Sequence, residues 1–585
     1  MVELQRTLRG LWMTSTTHRK VFSLAAACAL FGETVQSGCA CSASSTTGDA
    51  SLGFALGDKA ARLASMIASG INVPPGLAIA TSVCRDFHNN KQALPAGLFN
   101  EVLSGLRGVG QSHGRSFGDD FMPLLLAVRP SPVVSMPGML DNVLNVGLTD
   151  YSTELLAQQL GERCAVDSYR RFIENYGTVV LGIEAAHFER LLTDAINQAG
   201  VPSHIDLSVE QLRALVDEYK TFVWDQSGTP FPQNPYEQLQ RSIEAVLASW
   251  NSDRAVVYRN INGICHDTGT GVIVQAMVFG NCNDQSGTGQ CFSRDPRTGE
   301  PGNLAGEYLF NSQGGDVSAS IRTPKLIFRL QGEMPTTYEQ LKRIAERLEN
   351  DHRDMQEVHF TIENGELYVL MSRPGWRTAE AAVRIAVDFA NEGAISRAEA
   401  VSRIATGQWQ QLLRPVFSGE NLAAAKMMGR HVATGLAAAP GAAVGKIVFD
   451  PKEAAERTAA GEKVILVGSD MCPADFVGIA PAEGIITARG GMTCFGAGAA
   501  RGMGKPCIAG CDSLKVDRHN QLVIVGRHAF FKNDVISIDG SNGEIYAGTV
   551  NPTAVRKSTH LDTLIAWARE LGIDTGKEGE TGSTI

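Results

Sequence analysis

Four stretches of this 585-residue chain carry residue types suited to polyphosphate chemistry. The first is Gly57-Asp58-Lys59, at the start of an apolar-periodic helix. A helix N-terminus attracts anions and a lysine adds a point charge. Most lysines at helix starts are simply solvated, so this signal is weak alone. The second is Ala127-Val128-Arg129, leading into Ser135-Met136-Pro137-Gly138-Met139. An arginine at a strand end can fork onto phosphate oxygens, and Gly138 permits close backbone approach. The third is Ser286-Gly287-Thr288-Gly289, whose amides and hydroxyls suit an anion nest. The fourth and most specific runs from Ile485 to Pro506. It contains Thr487-Ala488-Arg489-Gly490-Gly491-Met492-Thr493, then Cys494-Phe495-Gly496-Ala497-Gly498-Ala499-Ala500-Arg501-Gly502.

That fourth stretch resembles the signature G-G-M-T-S-H-A-A-x-x-A-R-G-x-G of the pyruvate, phosphate dikinase and phosphoenolpyruvate synthase family. The resemblance extends over nearly the whole chain from about Leu52. It includes Gly70 to Gly76, Ser135 to Asp141, Phe231-Pro232-Gln233-Asn234-Pro235, Gly306-Glu307-Tyr308-Leu309, Phe360-Thr361-Ile362-Glu363 and Ala439 to Gly445. It implies an α/β and α+β multidomain protein, with an ATP-grasp-like nucleotide-binding region followed by a swivelling β/β/α phosphohistidine-type domain. It also implies ATP and Mg2+ as cofactors. Lys59, Arg129, Gly138, Thr288, Glu307 and Arg373 match residues that the family uses around the ATP phosphates. The family's C-terminal barrel, which binds pyruvate or phosphoenolpyruvate, has no counterpart in this sequence, which ends just after the barrel's linker helix.

The departures from the family pattern are chemical. The signature's histidine, which carries the phosphoryl group, is replaced by Phe495. Carrying phosphate needs a nucleophilic ring nitrogen, and a phenyl ring has none. Thr493 remains, at a position where some family members are regulated by phosphorylation, and Cys494 replaces the serine beside it. A thiol is a conceivable nucleophile, but nothing nearby in sequence activates it. The acidic-x-Glu pair and the following glutamine of the family read Glu357, His359 and Met371 here. Magnesium prefers hard oxygen ligands, whereas imidazole suits softer metals and a thioether is a weak acceptor. The alternative reading of His359 is an ordinary strand histidine. The small residues Gly496 to Ala499 still suit the tight loop-to-helix turn.

The elements that must hold these residues are legible in the pattern. Helix is expected from Leu56 to Ser69, opening on Gly57, and strands over Leu77–Ala80 and Leu124–Arg129. Helices dominate Tyr151 to Trp250. Strands return at Gly271–Gly280, Gly289–Ser293 and Glu307–Asn311. Val358–Glu363 and Glu366–Ser372 form a hairpin around Asn364-Gly365, a dipeptide suited to a primed turn. Thr378 to Ala405 reads as a helical linker, Gly435 to Gly548 as short strands with Gly and Ala turns, and 560–572 as an amphipathic helix. The expected domains are therefore 1–51, divergent and either targeting or disordered; 52–377, the nucleotide-binding region; 378–434, a helical linker; 435–550, the swivelling domain; and 551–585, a linker helix and tail. Within 1–51, Val21 to Phe31 is an apolar run after a basic stretch. It reads as a leader core or as a first strand followed by a divergent loop, and 37–51 as a flexible insertion.

Composition bounds the function. The chain is 44% hydrophobic and 19% charged, with 61 glycines, as in a soluble globular protein rich in tight turns. A net charge of -10 argues against broad nucleic-acid binding. The apolar run is too short to span a membrane. The 12 cysteines are scattered. Cys39 and Cys41 lie too close for an ordinary structural disulfide, and Cys507 and Cys511 lack a second ligand pair for zinc. Reduced thiols in a cytoplasmic compartment are expected, with an organelle as the alternative. Three functions compete: a catalytically degenerate homologue that binds nucleotide and works through a protein partner; an ATP-dependent phosphotransferase with another acceptor; and a subunit of a split dikinase.

Overall fold

A computed structural model describes residues 20–573, except 33–46, 120, 319–323, 406–407, 410–411, 413–415, 526–527 and 554–557. The chain divides into two compact units, Met1–Met277 and Val278–Ile585. It is a mixed α/β protein with several sheets.

The first unit is built on an antiparallel sheet of order β1-β2-β5-β3-β4. Its strands are β1 (Val21–Ser23), β2 (Gly76–Ile79), β3 (Leu126–Pro132), β4 (Val143–Val146) and β5 (Thr270–Ala276). All seven residues of β5 are buried, as its central place and apolar sequence require. Helices α1 (Leu24–Gly32), α2 (Thr47–Leu56) and α3 (Asp58–Ala68) precede the central strands. A helical region that includes α4 (Glu162–Val179) and α5 (Val209–Ser227) follows β4. Helix α5 starts with a capping box from Ser208 and Gln211 and stops at Gly228, which takes a left-handed φ of 69°.

Of the two readings of the N-terminal apolar run, leader core or first strand, the strand is observed. Val21–Ser23 pairs with Ile79–Leu77, and Val21, Phe22, Leu24 and Ala27 are buried, so the apolar run is a working strand and helix of the first unit. The end of the supposed insertion, from Thr47, is helical. Residues 1–19 and 33–46 lie outside the described set.

The second unit contains an antiparallel sheet of order β10-β9-β6-β7-β8. Its strands are β6 (Gly287–Phe292), β7 (Ala305–Phe310), β8 (Lys325–Leu326), β9 (Gln356–Glu363) and β10 (Glu366–Pro374). The β9–β10 turn has Asn364 at φ 50° and Gly365 at φ 84°, the two positive angles that the Asn-Gly dipeptide foretold. Helix α6 (Pro335–His352) precedes β9, and α7 (Ala379–Asn391) follows β10 with Thr378 as its cap. Buried Arg294 joins these parts. Its guanidinium meets Glu349 of α6 at 2.9 Å and Asp388 of α7 at 3.4 Å, and lies 4.4 Å over the Phe389 ring.

The expected helical linker is interrupted. Helix α7 ends at Asn391, and Gly393 at φ 75° separates it from a short helix at Arg397–Ser402. Beyond it lies an eight-stranded sheet of β11 (His431–Thr434), β12 (Leu436–Ala439), β13 (Ala442–Val448), β14 (Val464–Gly468), β15 (Gly484–Thr487) and β16 (Cys507–Ala509), completed by β20 (Val535–Asp539) and β21 (Glu544–Ala547). Strands β13 to β16 run parallel. A small sheet of β17 (Leu514–Asp517), β18 (Leu522–Val525) and β19 (His528–Phe531) adjoins them in sequence. Helix α8 (Phe495–Met503) connects β15 to β16. The last described helix, α9 (Thr559–Glu570), shares an apolar core with α7 through Leu564, Trp567 and Phe389.

Candidate functional site

The sequence-derived phosphate residues divide between the two units. In the first, Gly57 caps α3 with φ 87°. A Cβ on Gly57 would sit 1.7 Å from the Ser131 carbonyl oxygen, so only glycine allows β3 to pass this close. The Ser131 hydroxyl accepts from the Ala60 amide at 3.0 Å, which fixes the start of α3 and places half-buried Lys59 in its first turn. Arg129 lies on β3 and donates to Gln275 Oε1 at 3.2 Å. Burial pushes its pKa down to about 10. Gly138 takes φ 74° in the loop after β3.

In the second unit, strand register gathers the remaining positions onto one face. Glu307 of β7 pairs with Gln290 of β6, Gln290 with His359 of β9, and His359 with Met371 of β10. One alternation away, Phe292 pairs with Glu357, and Glu357 with Arg373. Two residues further in the other direction, Thr288 pairs with Thr361. Side chains two apart on a strand share a face. Thr288, Glu307, Glu357, His359, Met371 and Arg373 therefore share one surface. A register shift between Val369 and Met371 keeps β10 in step with it.

Glu357 is the electrostatic centre of that surface. Its Oε1 accepts from Arg373 Nη2 at 2.6 Å and lies 2.8 Å from His359 Nε2. Burial opposes its ionisation, but the guanidinium charge and the imidazole outweigh burial and hold the carboxyl down to about 2. Thr288 is turned inward, with its hydroxyl donating to the Phe360 carbonyl at 3.0 Å.

Glu307 reaches the glycine-rich loop instead. Its carboxylate accepts from the Met492 amide at 2.8 Å, the Thr493 amide at 3.0 Å and the Thr493 hydroxyl at 2.6 Å. A Cβ at Gly491 would fall 2.3 Å from this carboxylate, so the missing side chain at Gly491 is what lets it enter. The carboxylate thereby fixes the loop that feeds α8. Cys494, at the N-cap, is buried. Phe495 begins the helix, and its ring meets Trp376 edge-on at 6.2 Å. Trp376 also has the Arg373 guanidinium 5.2 Å from the indole and packs against the helix at Gly498 and Gly502.

Sequence reasoning missed Trp376 and Gln290. Trp376 had no motif to announce it; Gln290 was detectable only as the in-register neighbour of Glu307 and His359. Among the described residues, no group of three or more His, Cys, Asp or Glu side chains is placed to hold a metal ion.

Comparison with known proteins decides the lineage. Residues 90–335 match the family described as pyruvate phosphate dikinase, AMP/ATP-binding domain, and residues 460–543 match PEP-utilising enzyme, mobile domain. Pyruvate, phosphate dikinase of Clostridium symbiosum is 41% identical over 89% of the chain. The chain belongs to the pyruvate, phosphate dikinase family. The Rhizobium meliloti pyruvate, phosphate dikinase is 43% identical over 89% of the chain, and the chloroplastic one of Mesembryanthemum crystallinum 42% over 88%. The chain spans 59%, 59% and 54% of the lengths of these three dikinases, in that order. Among its described residues no helix is long and apolar enough to cross a membrane.

Proposed function

We propose that this chain is a catalytically degenerate dikinase homologue: a nucleotide-binding protein that does not carry phosphate on histidine and acts through a protein partner. The observation that carries the reading is Phe495. At the position that the family resemblance gives to the phosphoryl carrier stands a phenyl ring, packed edge-on against Trp376 at 6.2 Å. Neither ring offers a nucleophilic nitrogen lone pair.

The surface beneath supports the same reading. The donors present do not fit magnesium. Glu357 Oε1 is already engaged by Arg373 and His359, and His359 brings a nitrogen where a hard cation wants oxygen. Glu307, which the resemblance gives to the ATP phosphates, is taken up by the Met492–Thr493 loop. Lys59 and Arg129 of the first unit still supply positive charge for a polyphosphate, which keeps nucleotide binding in the proposal. In this reading residues 52–377 are the ATP-grasp-like region and residues 435–550, with the eight-stranded sheet and α8, are the swivelling domain.

Calorimetric titration with ATP and ADP, with and without magnesium, tests the binding half. Micromolar to millimolar affinity is expected. Magnesium should change it less than twofold, and Lys59→Ala or Arg129→Ala should weaken it about tenfold or more. No heat with either nucleotide would leave a scaffold role only. A strong magnesium requirement would favour the second reading, a phosphotransferase with another acceptor, for which the retained Lys59, Arg129 and Arg373 speak.

A further inference from the structure

The second unit holds a cavity of about 460 Å³ whose walls include none of Glu307, Glu357, His359 and Arg373. It lies where the N-terminus of α7, at Thr378 and Ala379, meets the Ala439–Ala442 turn between β12 and β13, with Arg501 of α8 in its wall. This volume is in the range of small-ligand sites.

Arg501 is only 1% exposed. Its Nη1 donates to the Ala438 carbonyl at 3.1 Å, and its guanidinium lies 5.8 Å from the Phe292 ring. Among the described residues its Nε has no acceptor. Burial lowers its pKa, the charges of Glu357 and Glu307 reach it only through space, and among the described residues no carboxylate is hydrogen-bonded to it, so an anion beside it is favoured. Two further features favour negative charge. The 13-residue helix α7 points its N-terminus at the cavity wall, and exposed Lys463 stands on the rim. Glu483 also lines the cavity and has no ion-pair partner among the described residues. It disfavours a dianion and offers an acceptor to a donor group. We infer that this cavity is a binding site for a small carboxylate that carries a hydroxyl or ammonium group, with Arg501 and the α7 N-terminus on the carboxylate and Glu483 on the donor group.

The site involves none of Lys59, Arg129 or Phe495, so it stands or falls apart from the nucleotide reading. The test is equilibrium titration of the full chain with D-glycerate, L-serine and inorganic phosphate, against sodium chloride at equal ionic strength. Thermal midpoints are read in parallel. Glycerate or serine should bind saturably and raise the midpoint, and phosphate should bind more weakly. Lys463→Ala should weaken the carboxylate about threefold and Arg501→Lys about tenfold. Glu483→Gln should shift preference towards phosphate. Because Arg501 is buried, the two rim variants decide if Arg501→Lys fails to fold. No saturable binding by either carboxylate overturns the inference. So does tighter binding of phosphate to the wild type, or carboxylate binding that survives Lys463→Ala and Glu483→Gln at wild-type affinity and preference.

Discussion

At the scale of single residues, charge compensation around Glu357 is the strongest claim. Its folded pKa is depressed to about 2, so its contribution to stability is fully present above the unfolded value near 4.5 and is lost as pH falls through about 2. Glu357→Gln should lower stability at neutral pH by about 3 kcal/mol, because Arg373 and His359 lose their common acceptor. The variant's thermal midpoint should also fall less than the wild type's between pH 4.5 and pH 2. Parallel pH slopes for the two proteins would show that the carboxylate is not held down by these partners. The resemblance sets His359 where the family has an acidic residue, and this remains part of the proposal. The partnership of His359 with Glu357 and Arg373 was not legible in the sequence, because that depends on the pairing of β9 with β10 and on the irregularity before Met371.

At the scale of elements, the loop before α8 is held by a side chain from a different sheet. Three donors of Met492 and Thr493 converge on Glu307, and hydrogen bonds to an ionised acceptor are worth about 1.5–3 kcal/mol each. Glu307→Gln should therefore speed amide exchange at Met492 and Thr493 by about tenfold or more, read by hydrogen–deuterium exchange, while exchange in β15 stays unchanged. Gly491→Ala should have a comparable effect, since the added methyl collides with the carboxylate. Unchanged protection in both variants would mean that the loop is ordered by its own turn. The Asn364-Gly365 hairpin and the apolar-periodic helices were readable because local chemistry specifies them. The strand expected over Gly271–Gly280 stops at Ala276. The apolar residues beyond it, Val278 and Phe279, are buried without being strand, a case in which burial and strand pattern look alike in sequence.

At the scale of the whole molecule, the family and the mixed α/β class were legible because the signature around Phe495 and the segments from Leu52 onward are long. The proposed loss of the carrier rests on one residue, Phe495. The division at Met277 was not legible, since no Pro/Gly-rich or charged linker marks it. The N-terminal strand was one of two readings of its apolar run, which also imitates a leader; what makes it structural is the β2 edge that it covers. Changes at the carrier, at His359 and at Met371 together imply that restoring one of them does not restore transfer. The central claim is tested most directly by incubating the wild type and Phe495→His with ATP labelled at the β and γ phosphates, with magnesium or manganese, and measuring acid-labile phosphate on the protein. The account predicts no label above background on either. Stoichiometric label on the wild type, or ready labelling of Phe495→His, would contradict it.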